Sequence, residues 1–330
     1  MKLKWFNIKR QWRATQMPQI NDDFFHAPQT FMGVPYKTDA TASSVAILGC
    51  PFDCGTHPFR VGSRQGPNAI REQSGLVRPY QSELADCNIL EELKVIDAGD
   101  IRLVPSRIDD SFKLIEDAAY RLAENGAVPI GFGGDGSVSL PLIRAASRLH
   151  PGLAVLHFDS HTDAYEVDPV HKYDAATQFS HAALEQRVST NNSYHIGLRG
   201  STSFQGVYSH TRELGYSLIT MRDFLKRGQD DVMQELHNKL GQRPVYLSWD
   251  MDVFDPSCAP GVCTPEWGGF SSREGIEVIR GLTGLNIVAA DINTVSPPHD
   301  VKGMTAFLAA SMTYEILLLL WRTRQMDQSR

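Results

Sequence analysis

The chain has 330 residues, 42% of them hydrophobic and 21% charged, with 26 glycines and 18 prolines. This mix fits one large globular domain or two smaller ones and excludes a disordered, collagenous or coiled-coil chain. A net charge of −6 argues against a partner gripped through its phosphates, so no nucleic acid is expected.

The basic start, Met1 to Arg13, has no apolar run behind it, and the apolar stretch Ile316 to Trp321 is too short to cross a bilayer; no membrane is expected. Five cysteines without zinc spacing point to reduced thiols in the cytoplasm. Residues 1–40 are polar and broken by Pro18, Pro28 and Pro35. They read as an N-terminal arm packed on the body or on a neighbouring subunit, with 41–330 as a single domain. Short apolar runs then recur at Val45–Leu48, Lys94–Asp97, Val128–Phe132, Leu153–Phe158, Tyr194–Leu198, Tyr216–Thr220, Val245–Trp249 and Ile287–Ile292. Most are continuous, as strands buried on both faces are. Between them lie helical patterns. Ile108, Phe112, Ile115, Ala119 and Leu122 share one face before Gly126, and Met233, Leu236 and Leu240 do so before Gly241. Thr305 to Arg322 is apolar on most sides and reads as a buried helix. Alternating strand and helix predicts a parallel α/β fold; periodicity leaves an open sheet and a closed barrel equally open.

In such folds the carboxyl ends of the strands carry the site. Leu153–Phe158 runs into Asp159-Ser160-His161-Thr162-Asp163, and Val245–Trp249 into Asp250-Met251-Asp252. Residues two apart on extended chain face one side, so these carboxylates and the imidazole would converge. Such a set repels itself unless a divalent cation sits in it, and its oxygen-rich make-up suits Mn²⁺ or a similar ion. A pair of ions would lower the pKa of a shared water. The alternative is that the aspartates merely cap the helices that follow. A second motif, Gly131-Phe132-Gly133-Gly134-Asp135-Gly136, matches the dinucleotide-binding GxGxxG pattern. Its mid-chain position, and the place of Asp159 in the tighter acidic cluster, weigh against that use.

These motifs resemble the ureohydrolase family of arginases and agmatinases. Gly49-Cys50-Pro51-Phe52-Asp53, Gly62-Ser63-Arg64-Gln65-Gly66-Pro67, Asp97 to Asp100, Gly197-Leu198-Arg199-Gly200 and Ser296-Pro297-Pro298 look like further family blocks. The resemblance implies a three-layer α/β/α fold with an eight-stranded, mostly parallel sheet. It also implies trimers or hexamers, and hydrolysis of a guanidino compound to urea and an amine at two metals, Mn or Ni. Carried over, Asp159 and Asp250 would bridge both metals, His161 and Asp252 would complete one shell, and Asp163 would serve the other.

Three positions depart from the family pattern. Gly136 stands where a metal-binding His is usual, Ala175 where a His handles substrate protons, and Thr294 where a Glu holds the guanidinium. A glycine cannot ligate through a side chain, and a hydroxyl cannot replace a carboxylate facing a guanidinium. His57, His181 and His299 are candidates for substrate-loop groups that replace what is missing, whereas His157 reads as structural. The expectation is a catalytically impaired subunit, with one metal or none, assembled with an active homologous subunit as in heteromeric metformin hydrolases. The alternatives are a divergent agmatinase-like enzyme using Mn or Ni on an unusual guanidine, or a guanidine-binding protein without catalysis.

Overall fold

The apolar runs become strands because each is packed on both faces. A computed structural model describes residues 29–41, 43–54, 57–170 and 172–328. Its strands are β1 (Val45–Gly49), β2 (Ile96–Asp100), β3 (Val128–Phe132), β4 (Ala154–Phe158), β5 (Tyr194–Leu198), β6 (Ser217–Thr220), β7 (Val245–Asp250) and β8 (Ile287–Asn293). They form one sheet in the order β2-β1-β3-β8-β7-β4-β5-β6, every neighbouring pair parallel. The sheet is open, which resolves the choice that periodicity left.

Alternate side chains serve two separate cores. Val45, Ile47, Leu156, Phe158, Leu247 and Trp249 lie in one; Ala46, Leu48, Val155 and Tyr246 lie in the other. The first is covered by the helices Gly66–Ser74, Ser272–Gly281 and Met304–Gln328, the second by Ile108–Ala123 and Ser139–Leu149. Helix Met304–Gln328 is, among the described residues, long and apolar enough to cross a membrane by length and composition. Its Leu308, Ile316, Leu317, Leu318 and Leu319 are instead buried in the first core. It runs past the expected end at Arg322.

Strand β2 begins at Ile96 rather than Lys94, because Lys94 has φ +49°, a left-handed turn that no strand tolerates. Arg71 is buried beneath the end of β2. Its Nε and Nη2 donate to Asp97 at 2.8 and 2.9 Å, and Nη1 donates to Asp100, tying the helix Gly66–Ser74 to the sheet edge. Residues 29–40 pack on the body. Phe31 is fully buried edge-on against Phe132, with centroids 5.5 Å apart, and its N–H donates to Asp97 Oδ2 at 2.9 Å. The arm's residues 1–28 lie outside the described residues.

Candidate metal centre

The chain leaves β3 and returns to the sheet three places away at β4, with β8 and β7 inserted later between them. The carboxyl ends of these four central strands therefore open one crevice. Phe158 pairs with Trp249, so Asp159, just past β4, stands beside Asp250, the last residue of β7. Both chains turn sharply there. Asp159 Oδ1 accepts from the His161 N–H at 2.6 Å, and Asp250 Oδ1 accepts from the Asp252 N–H at 2.7 Å. Each leading aspartate thus folds its own motif into a short turn, which brings His161 and Asp252 inward. His161 Nδ1 lies 3.1 Å from Asp252 Oδ2 and 3.3 Å from Asp159 Oδ1. Ser160 fixes Asp252 from the other side, donating to Oδ1 from N at 3.1 Å and from Oγ at 2.7 Å.

The four aspartates are buried, at 7% exposure or less. Burial, then the charge of Asp252, raises the Asp159 carboxyl; burial, then Asp159, raises Asp163; burial, then Asp252 and Asp159, raises Asp250. Burial works the same way on Asp252, but His161 beside it outweighs burial and lowers that carboxyl; burial also works to lower His161, and the Asp252 and Asp159 carboxylates outweigh it and raise the imidazole well above its ordinary value. This is the electrostatics of a cation site: the negative charge cannot all be expressed unless a positive partner is present. One oxygen supports that reading directly. Asp159 Oδ2 is buried and, among the described residues, accepts no hydrogen bond; His157 Nε2 is 2.9 Å away but off the required direction. Asp159, His161 and Asp252 also present one ligand atom each within 4.8 Å of one another. With Asp250, these residues fit a divalent ion.

The second position fits less well. Asp163, with φ +46°, accepts from Gln178 Nε2 at 2.6 Å, and no side chain projects from Gly136. Ala175 lines the cleft as a methyl group. Thr294 does not line it. Held at φ +64°, a strained conformation for a β-branched residue, Thr294 turns its hydroxyl onto Asp250 Oδ1. The hydroxyl expected to face a substrate is therefore already engaged.

Of the three loop histidines, His57 lines the cleft mouth. His181 Nε2 contacts the Lys172 carbonyl at 2.6 Å, its ring packs on Tyr173, and it is absent from the cleft lining. His299 Nδ1 pairs with Ser296 Oγ at 2.9 Å and is likewise absent from the cleft wall. His157 is wholly buried, its Nδ1 2.8 Å from His195 Nδ1, and burial lowers its imidazole to about 3. It is a neutral prop behind Asp159.

Sequence reasoning missed Gln178 and the way Arg199 closes the site. Arg199 Nη2 donates to the carbonyls of Asp252 (2.7 Å), Phe254 (3.1 Å) and Glu266 (2.8 Å), clamping the loop that follows Asp252. The Gly-Leu-Arg-Gly block was the available signal. In the same way Arg60 Nη2 donates to the carbonyls of Pro260 (3.0 Å) and Val262 (2.6 Å). Asp135, at the GxGxxG stretch, caps its own turn through the Ser137 N–H and accepts the Cys54 N–H at 2.6 Å. That loop is consequently pinned by its own hydrogen bonds at the cleft wall.

Above the centre lies a cleft of about 680 Å³ that reaches His161, Asp163 and Asp135. Its lining carries Glu166, Asp168, Asp174 and Glu266 against the Arg60 guanidinium, a net acidic wall suited to a cationic guest.

A profile of the arginase family matches residues 43–319. Guanidinopropionase of Pseudomonas aeruginosa is 38% identical over 296 residues, spanning 88% of this chain and 91% of that protein. The mitochondrial agmatinase of Gallus gallus is 32% identical over 291 residues, spanning 88% of this chain and 85% of that protein. Among solved structures, proclavaminate amidino hydrolase from Streptomyces clavuligerus has a TM-score of 0.86 at 32% identity, covering 91% of this chain and 99% of that one. Fold, crevice and acidic motifs thus converge with these likenesses, and the chain belongs to the arginase family of ureohydrolases.

Proposed function

We propose that this chain is a catalytically weakened ureohydrolase subunit that works assembled, as a trimer or hexamer, with an active homologous subunit. The observation that carries the reading is the state of the three departing positions together. Gly136 offers no ligand, Ala175 offers no proton carrier to the cleft, and the Thr294 hydroxyl is spent on Asp250. A single change would suggest altered specificity. Loss at a metal, a proton-transfer and a substrate position removes three separate contributions to one transition state.

The reaction of the family adds water across a guanidino C–N bond to give urea and an amine. Asp159, His161, Asp250 and Asp252 would hold one Mn or Ni ion, which when bound supplies a Lewis acid and lowers the pKa of water. The chain's own contribution is positional. Ser160 and the Asp159 carboxylate orient Asp252 and His161, Arg199 fixes the loop behind them, and the acidic cleft wall attracts a guanidinium. With Ala175 and Thr294 in place, no side chain at those positions delivers a proton to the leaving amine or pairs with the guanidinium. The five unpaired cysteines accord with a reducing, cytoplasmic setting.

Expression of the full chain alone, with metal analysis and a urea assay over a panel of guanidines, tests the reading. The expected result is little or no urea alone and restored turnover when a homologous active chain is added. Robust turnover by the chain alone with two ions bound would refute it. A second reading, an active hydrolase of a cationic guanidine, is favoured by one observation: the cleft stays open to His161 and Asp163. A guanidine that stabilises the chain against heat without releasing urea would instead indicate a binding protein.

A further inference from the structure

We propose that the Gln178 amide stands in for the second cation: it fills the space left by Gly136, satisfies Asp163, and leaves the chain with a single divalent-ion position. This rests on the weakened-centre reading above and names the residue responsible.

The geometry is specific. Gly136 is buried at the start of a short turn whose backbone is pinned by Asp135, through the N–H groups of Cys54 and Ser137. A Cβ built on Gly136 would lie 2.6 Å from Gln178 Nε2, 3.0 Å from Asp163 Oδ2 and 3.4 Å from the Ala175 carbonyl. Any side chain at 136 would therefore enter the volume that the amide now occupies, beside the carboxylate a ligand would approach. Gln178 is 2% exposed and opens the helix Gln178–Leu184. The next residue, Phe179, donates its N–H to the Asp163 carbonyl at 3.1 Å, so carboxylate and amide are locked to the same short stretch. Asp163 already has what a buried carboxylate needs, an N–H at 2.6 Å. An ion placed there would have to displace that donor and would gain no ligand from residue 136. Glycine and glutamine thus form one coupled replacement, and substitutions at the two positions should be non-additive.

The test is ion stoichiometry, read by equilibrium dialysis against Mn²⁺ and elemental analysis of the full chain. Wild type and Gly136→His should each hold one ion, the latter because the amide, though pushed from its present contact, still competes for Asp163. Gly136→His combined with Gln178→Ala should hold two; Gly136→His with Gln178→Ser carries the same expectation if the alanine combination fails to fold. A count of two for Gly136→His alone would overturn the proposal, since the amide would then be no obstacle. A count of one for both folded combinations, with wild type at one, would overturn it while sparing the weakened-subunit reading. A count of two in wild type would refute both.

Discussion

Replacing Asp252 with alanine isolates the first ion position. Its carboxylate is held by Ser160 on one oxygen and faces His161 at 3.1 Å on the other, so truncation removes one ligand and unseats a second. An ion that binds only the folded chain stabilises it by about 2.7 kcal/mol at a concentration one hundred times its Kd. Unfolding entropy of about 2.1 cal/mol/K per residue, over a chain of this length, is roughly 0.7 kcal/mol/K. Wild type should therefore melt about 4 °C higher in Mn²⁺ at that excess than in chelator, by the same arithmetic. Asp252→Ala should show a rise of less than about 1 °C at the same concentration. Differential scanning fluorimetry with a Mn²⁺ titration measures both. An unchanged Mn²⁺-dependent rise with an unchanged midpoint in Asp252→Ala would refute the assignment of this carboxylate as a ligand.

Three further outcomes follow from residues outside the ligand set. Arg199→Ala should cost about 3 kcal/mol in denaturant unfolding, because several carbonyls lose a charged donor, and Arg199→Lys should recover less than half, a point charge being unable to bridge them. Phe31→Ala should cost about 3–5 kcal/mol if the segment around it belongs to the domain core, as its full burial against Phe132 indicates; urea unfolding measures this. Burial pushes the Glu185 carboxyl up, but the paired donors of Arg144 outweigh it and hold it below its ordinary value. A depressed folded pKa gives stability that is complete above the unfolded value of about 4.3 and is lost as pH falls through the folded value. The stability gap between wild type and Glu185→Gln should accordingly be constant near neutrality and close on acidification below about pH 4, read from urea midpoints across pH.

The fold was legible because its physics is local. Strands buried on both faces must be apolar at consecutive positions, and runs such as Val128–Phe132 and Tyr194–Leu198 coincide with β3 and β5. The grouping of Asp159 with His161 was expected from extended-chain spacing, whereas the structure produces it by a turn that the Asp159 carboxylate closes on the His161 N–H. What escaped notice depends on partners brought together only by folding. No spacing rule links Gln178 to Gly136, and nothing in the sequence states that the hydroxyl of Thr294 would turn to Asp250 rather than outward. His181, six residues beyond Ala175, was a candidate only under a shifted register, and the Lys172 carbonyl claims its ring. The start of β2 moved because Lys94 takes a left-handed turn, which a residue's identity rarely discloses.

The departures from the family pattern share a physical logic. A cluster of buried carboxylates destabilises its own fold unless each finds a donor or a cation. In this chain, Asp163 receives the amide of Gln178 and Asp250 receives the hydroxyl of Thr294, both neutral groups on the chain itself. Asp252 and Asp159 keep His161, a group that can serve either as a charged partner or as a ligand. At Asp163, beside Gly136, and at Asp250, which also belongs to the remaining ligand set, the protein has supplied hydrogen bonds. Two neutral donors, one beside Gly136 and one at Thr294 itself, fit a centre now held partly for stability, since groups arranged for catalysis commonly weaken the fold that carries them. On that logic Thr294→Val, which keeps the shape and removes the donor, should destabilise the metal-free chain by about 1–3 kcal/mol, leaving a buried carboxylate oxygen short of a partner. The loss should shrink when Mn²⁺ is added, because an ion at Asp250 replaces the missing hydrogen. A loss of the same size with and without Mn²⁺ would show that the hydroxyl serves the strained backbone at Thr294 and not the charge of Asp250.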